Sequence, residues 1–340
     1  MKAKITTKYL SIFILISLFL SCNQKSSNPE NEAEETIIIS SKMPQGDTLP
    51  KSAILDTLIY QSHVELILSS CYNDTSDPDY PEIIYLANNV VKTFAFVWLP
   101  ENWDSFSNEE KRMIIHLHGH CGIGTKRFCE WYNLARIKNI AVLSLQYWMG
   151  EYDWCGGNPK PLGDYSYYIT GPGQTCGWHL NIENDIYPFI SKLAEYFDVH
   201  SIMLHGFSMA AATGVIVDYR DKQDQDIIDL TVFNAGHIDS THYFYKEIES
   251  CKDSSPFKNE NYFFFLENID PNIFAQQSST RSFLIKNGVK EIETVIAVDN
   301  NYKHGALLNN EDFLPVRERI VSIYDSITTN PLHWLRSKNR

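Results

Sequence analysis

The run "LHGFSMAAATG", Leu204 to Gly214, sets Ser208 between an apolar stretch and a line of small residues. A serine hydroxyl is a poor nucleophile until a base takes its proton, and that base needs a carboxylate to hold its tautomer. Both partners occur downstream. Asp270 follows the apolar run "NYFFFLENI", and His304 follows "KEIETVIAVDNNYK". Each of the three stands where a strand-like run gives way to a turn, so one sheet edge could collect them. Ser208 is therefore expected as nucleophile, His304 as general base and Asp270 as the orienting acid, with Asp239 and Glu267 as competing acids. A sharp strand-to-helix turn brings two backbones close together and favours small residues. Gly206 and Ala210 meet that need, the latter with one methyl more than the glycine such turns commonly carry.

A second group of reactive residues lies in "HLHGHCG". His116, His118 and His120 alternate like ligands along a strand, but hydrolytic metal sites add a following carboxylate. Cys121 and Gly122 follow instead, so no metal and no organic cofactor is expected. The segment 147–180 is rich in Tyr, Trp, Gly and Pro, and Trp148, Trp154 and Trp178 are candidates to wall a pocket for an aromatic acyl group or a sugar.

Strands and helices alternate from about residue 83 onward. "EIIYLANN" and "VKTFAFVWLP" read as a hairpin, and "RMIIHLHG", "IAVLSLQYW", "SIMLHG", "DLTVFNAG", "NYFFFLE" and "KEIETVIAV" as further strands. Between them "CEWYNLARIKN", "NIENDIYPFISKLAEYFD", "SMAAATGVIVDYR" and "NIFAQQSSTRSFLIKNG" carry helical patterning, and "DFLPVRERIVSIYDSI" closes the chain. Such alternation implies βαβ units, hence a mostly parallel sheet with helices on both faces and an antiparallel N-terminal edge. The carboxyl ends of its strands are where function is expected.

With 44% hydrophobic and 13% aromatic residues in 340, the chain can bury a large core. Its net charge of −13 disfavours nucleic acid and anionic membrane surfaces as partners. The N-terminus differs from the rest. Lys2, Lys4 and Lys8 precede the apolar "SIFILISLFLS", the layout of an export signal over residues 1–21, too short for a comfortable membrane span. Residues 22–50 are polar and acidic and read as a flexible tether, with "TIII" as at most a local strand. The catalytic domain is expected over 51–340. Besides Cys22 there are six cysteines, an even number that permits disulfides in an exported chain, with Cys155–Cys176 the first expected pair.

The serine-acid-histidine order along the chain is that of the α/β-hydrolases. Within them the sequence resembles exported esterases of the feruloyl-esterase and polyhydroxybutyrate-depolymerase type. The resemblance runs from about Glu82 to the last helix, through "FAFVWLPENW", "IIHLHGHCG", "NLARIKNIAVLSLQY", "IENDIYPFISKLAEYFDV", "HGFSMAA" and "KHGAL". It implies the α/β-hydrolase fold and a serine carboxylic-ester hydrolase. It also implies an oxyanion hole built from the N–H of Met209 and one from the "HGHCG" loop, at His120 or Cys121. Cys22, after the apolar leader, resembles the lipidated cysteine of bacterial lipoproteins, which implies an outer-membrane anchor. The expected substrate is an ester, small or attached to a polysaccharide. A prolyl-oligopeptidase-type peptidase and a non-catalytic glycan-binding lipoprotein are the alternatives.

Overall fold

The computed structural model describes residues 37–40, 83–88, 93–119, 127–146, 186–238, 240, 243–251, 255–298 and 302–329. The described strands form one nine-stranded sheet in the order β1-β2-β3-β5-β4-β6-β7-β8-β9. In chain order these are β1 (Ile37–Ser40), β2 (Ile83–Asn88), β3 (Thr93–Trp98), β4 (Arg112–Leu117), β5 (Ala141–Gln146), β6 (Ser201–Phe207), β7 (Ile228–Asn234), β8 (Asn261–Glu267) and β9 (Lys290–Ala297). β1, β2, β3 and β5 pair antiparallel in turn, and every pairing from β5 through β4 to β9 is parallel. The expected hairpin is therefore present, and the short "TIII" run adds β1 outside it.

The described helices are α1 (Phe128–Ala135), α2 (Tyr187–Tyr196), α3 (Met209–Gln223), α4 (Tyr243–Ser250), α5 (Pro271–Lys286), α6 (Ala306–Asn309) and α7 (Leu314–Thr328). Alternation along the strands decides which side chains meet which helices. Ile114, Met203, Val232, Phe263 and Phe265 pack with Trp131 of α1 and Ile320 and Tyr324 of α7. The intervening Met113, Ile115, Ile202 and Leu204 face Phe189 and Leu193 of α2. Further along that second face, Phe233 and Phe264 meet Val215 and Ile216 of α3, Phe244 of α4 and Leu284 of α5. The inner parallel strands β4, β6, β7 and β8 are buried on both faces, which is why they read as apolar runs, whereas the edge strand β9 is partly exposed. α4 falls in a stretch whose sequence shows no clear period.

At the amino end of the sheet, buried carboxyl groups gather between α3 and β7–β8. Asp221 accepts the N–H groups of Ile227 and Ile228, both at 2.8 Å. Asp218 takes the Tyr262 hydroxyl at 2.5 Å, and Lys222 joins Glu260 at 2.5 Å and Asp226 at 2.9 Å. Burial pushes Asp221 up to about 7 and Asp218 well above the ordinary carboxyl range, with neighbouring acids pushing both in the same direction.

Candidate active site

Ser208 sits between the last residue of β6 and the first of α3, with φ 57° and ψ −122°. That positive φ is costly for a residue with a Cβ and persists only where its surroundings enforce it. The enforcing contacts are close. A Cβ on Gly206 would stand 2.2 Å from the Ala210 carbonyl oxygen, and one on Gly236 would stand 2.1 Å from that of Ser208. Both positions therefore require glycine. Ala210 itself is fully buried, and its methyl is accommodated in the apolar layer under α2. The Ser208 N–H donates to the Asn234 carbonyl at 2.7 Å, which ties the turn to the end of β7.

His304 lies in the loop after β9. Its Nε2 is 2.8 Å from Ser208 Oγ, and its Nδ1 is 2.7 Å from Glu267 Oε2. A carboxylate can only accept, so Nδ1 carries the proton and Nε2 is left to accept from the serine. Glu267 is the last residue of β8 and is fully buried. Its second oxygen receives the N–H groups of Gly305 at 2.9 Å and Ala306 at 2.7 Å. One carboxylate thus fixes both the ring and the backbone that carries it. The Phe207 ring lies 4.9 Å from the imidazole, and the Asn309 amide donates to the His304 carbonyl at 3.2 Å. Gly305 has φ 89°, a conformation this tight loop needs. The His304 side chain remains 44% exposed, so it can pass a proton to a bound leaving group.

The structure brings Ser208 and His304 together as expected, but Asp270 is not with them. The Asp270 carboxylate caps α5, accepting from Asn272 N at 2.8 Å and Ile273 N at 3.1 Å. Asp followed by Pro at the first helical position is a strong helix start, and that is the purpose both residues serve here. The acid beside the histidine is Glu267, three residues earlier. Strand alternation locates it, since Phe263, Phe265 and Glu267 fall on one face. A run of apolar residues just before it hides that alternation in the sequence. The third candidate acid, Asp239, lies outside the described residues.

Met209 heads α3, so its N–H is among those with no acceptor inside the helix. Gly119, the last described residue of the loop after β4, packs on the elbow; a Cβ there would be 3.0 Å from that of Ser208. The oxyanion-loop candidates His120 and Cys121, the aromatic candidates Trp148, Trp154 and Trp178, Cys22 and the Cys155–Cys176 pair lie outside the described residues. Of the alternating histidines, His116 turns its Nδ1 to His205 Nδ1 at 2.8 Å, and His118 pairs through Nδ1 with the Gly119 carbonyl at 2.7 Å.

No protein-family model and no curated protein matches the sequence. Solved structures do match. Vibralactone cyclase aligns at 11% identity over 84% of this chain and 92% of its own, with a TM-score of 0.52. An arylesterase aligns at 12% identity over 80% and 91%, with a TM-score of 0.48. A ferulic acid esterase from Anaeromyces mucronatus aligns at 15% identity over 76% and 93%, with a TM-score of 0.47. Together with the strand order and the elbow, the first of these likenesses defines the fold: this chain has the α/β-hydrolase fold.

Proposed function

We propose that the protein is a serine carboxylic-ester hydrolase working through Ser208, His304 and Glu267. The observation that supports this reading most strongly is the unbroken hydrogen-bonded line from Ser208 Oγ through the imidazole to a buried carboxylate. In the proposed cycle, Ser208 Oγ attacks the ester carbonyl carbon while its proton moves to His304 Nε2. The Met209 N–H and a second N–H from the loop after Gly119 hold the oxyanion. The tetrahedral adduct expels the alcohol, which takes the proton from His304, and leaves an acyl group on Ser208. Water then attacks the acyl carbon, giving its proton to His304, and the carboxylic acid departs as Ser208 recovers its proton. Glu267 accepts a hydrogen bond from His304 Nδ1 and stabilises the imidazolium.

The substrate we propose is an ester decorating a polysaccharide, acetyl or feruloyl, met by an exported protein anchored at Cys22 to the outer membrane. The leader composition and the aromatic segment 147–180 are what support this finer reading. The test is hydrolysis of p-nitrophenyl acetate and methyl ferulate by the full chain. Turnover by the wild type and its loss in Ser208→Ala support the proposal. Equal turnover in that variant, or none by the wild type on any ester, overturns it.

A further inference from the structure

The face of the sheet that packs on α1 and α7 is polar near the strand starts, where Arg112 meets Asp325 and Ser201 meets Tyr324, and a second polar set steps diagonally across it. His116 of β4 and His205 of β6 are register partners, and Asn234 of β7 stands at the level of Phe207, two residues beyond His205. Continuing across β8, Asn234 is level with Phe265, and two residues on is Glu267. The polar positions thus step across four neighbouring strands and end at the acid beside His304. Both histidines are buried, and their rings stack with centroids 4.9 Å apart under the indole of Trp131, itself 4.9 Å from His205. Two imidazoles inside a hydrophobic core usually cost stability, because each polar nitrogen there must find a partner.

Both Nδ1 atoms and the His205 Nε2 do find partners, and the line leads to the nucleophile. The two Nδ1 atoms are 2.8 Å apart, so one donates and the other accepts, a bond that requires at least one neutral ring. His205 Nε2 is 3.1 Å from the Asn234 side-chain amide. The main-chain carbonyl of the same Asn234 accepts the Ser208 N–H at 2.7 Å. At the other end, His116 precedes by three residues Gly119, which packs on the serine. Burial holds both imidazoles far below the usual histidine range, His205 at about 3. The charged or titratable groups bearing on His116 besides His205 are His118 and Arg127, both of which also oppose its protonation. The Asn234 atom facing His205 Nε2 is the amide nitrogen, which donates, so Nε2 accepts, the proton of neutral His205 sits on Nδ1, and His116 Nδ1 accepts it.

We propose that His116, His205 and Asn234 are positioning residues for the ester hydrolysis inferred above: a neutral hydrogen-bonded line that fixes the elbow and the start of the oxyanion loop relative to each other. This rests on the serine-hydrolase reading. None of the three touches substrate; they act through the backbone of Ser208 and Gly119.

The discriminating experiment compares His205→Phe with the double variant His116→Leu/His205→Phe in the full chain, measuring kcat, KM and thermal midpoint together. The single variant strands the His116 Nδ1 in the core and lowers the midpoint. The double variant removes the histidine pair together and regains part of it, the remainder being lost because the buried Asn234 amide no longer has His205. In the double variant kcat is expected to stay about 10- to 100-fold low, with KM within about twofold, as misplaced catalytic geometry produces. Asn234→Gln, which can still donate an amide N–H to His205 Nε2, is expected to keep more kcat than Asn234→Leu. If kcat returns with the midpoint in the double variant, the line is only a packing device and the proposal fails. A double variant that does not fold leaves the Asn234 pair to decide: equal kcat in the two also overturns it. Labelling of wild-type Ser208 by a fluorophosphonate separates this from failure of the serine-hydrolase reading, which alone would leave Ser208 unlabelled.

Discussion

Buried carboxyl groups occupy both ends of the parallel sheet, under very different conditions. At the carboxyl end, Glu267 is fully buried, yet a ring nitrogen and two backbone N–H groups converge on its two oxygens. At the amino end, Asp218, Asp221 and Glu260 crowd one another, with Lys222 the cation among them. Equal burial thus comes with different partners: a histidine at one end, further acids at the other. Donors aimed at a carboxylate stabilise its charge, whereas neighbouring acids and desolvation drive a carboxyl to keep its proton. One end aims three donors at a single acid beside a proton-transfer group, and the other gathers acids around Lys222 to lock α3 onto β7 and β8. Burial alone does not mark a functional acid, nor do backbone N–H donors, which Asp221 has as well; the histidine beside Glu267 does.

The largest expected effect comes from stripping the charge at the carboxyl end. Glu267→Gln keeps the shape but offers His304 an amide, allowing the wrong tautomer. On the reading above, kcat for p-nitrophenyl acetate falls by about 10³- to 10⁴-fold. Steady-state kinetics check this, and a loss of less than about tenfold would dissolve the contrast between the two ends.

The amino end is probed by pH. Asp221 has its folded pKa raised from 3.8 to about 7, so its contribution to stability is complete at low pH and is lost as pH rises through about 4 to 7. Asp221→Asn mimics the protonated form and still offers an oxygen to Ile227 and Ile228. It is expected to leave the urea midpoint unchanged near pH 4 and to raise stability by roughly 2–4 kcal/mol at pH 8, because each tenfold change in proton affinity is worth about 1.4 kcal/mol. Equal urea midpoints of variant and wild type at pH 8 would show that this carboxyl ionises without cost.

Smaller is the effect of Asp270→Ala, which removes a helix cap and not a catalytic acid. Stability should drop by about 1 kcal/mol with kcat within about twofold. Thermal melts and kinetics on the same sample decide it, and a large kcat loss would return Asp270 to the site. Smallest is Ala210→Gly, which restores the glycine common at such turns. Its expected cost is about 0.5–1 kcal/mol of helix stability with kcat unchanged, seen by the same two measurements.

Much of this arrangement can be read in the sequence. The alternating runs foretell the parallel sheet and its antiparallel edge, and small residues around Ser208 foretell the elbow. His304 is legible from its place between the last strand and the last helix. Glu267 is legible only as a competitor to Asp270, because the apolar "FFFL" before it masks the two-residue period while Asp270-Pro271 nearby gives a louder signal for a different purpose. The His116–His205 contact is invisible for another reason. It joins strands far apart in sequence, and each histidine alone looks like a tolerated core residue or a stray ligand. α4 is hard to see because its apolar face is short and interleaved with charges.

On this account Ser208 is activated through His304 by Glu267 and not by Asp270. The most direct test is the rate at which a fluorophosphonate labels the full chain, with the modified residue located by mass spectrometry. The expected result is a single adduct on Ser208, formed quickly in the wild type and in Asp270→Ala and far more slowly in Glu267→Gln. An adduct on another residue, an inert Ser208, or slow labelling in Asp270→Ala with normal labelling in Glu267→Gln would contradict it.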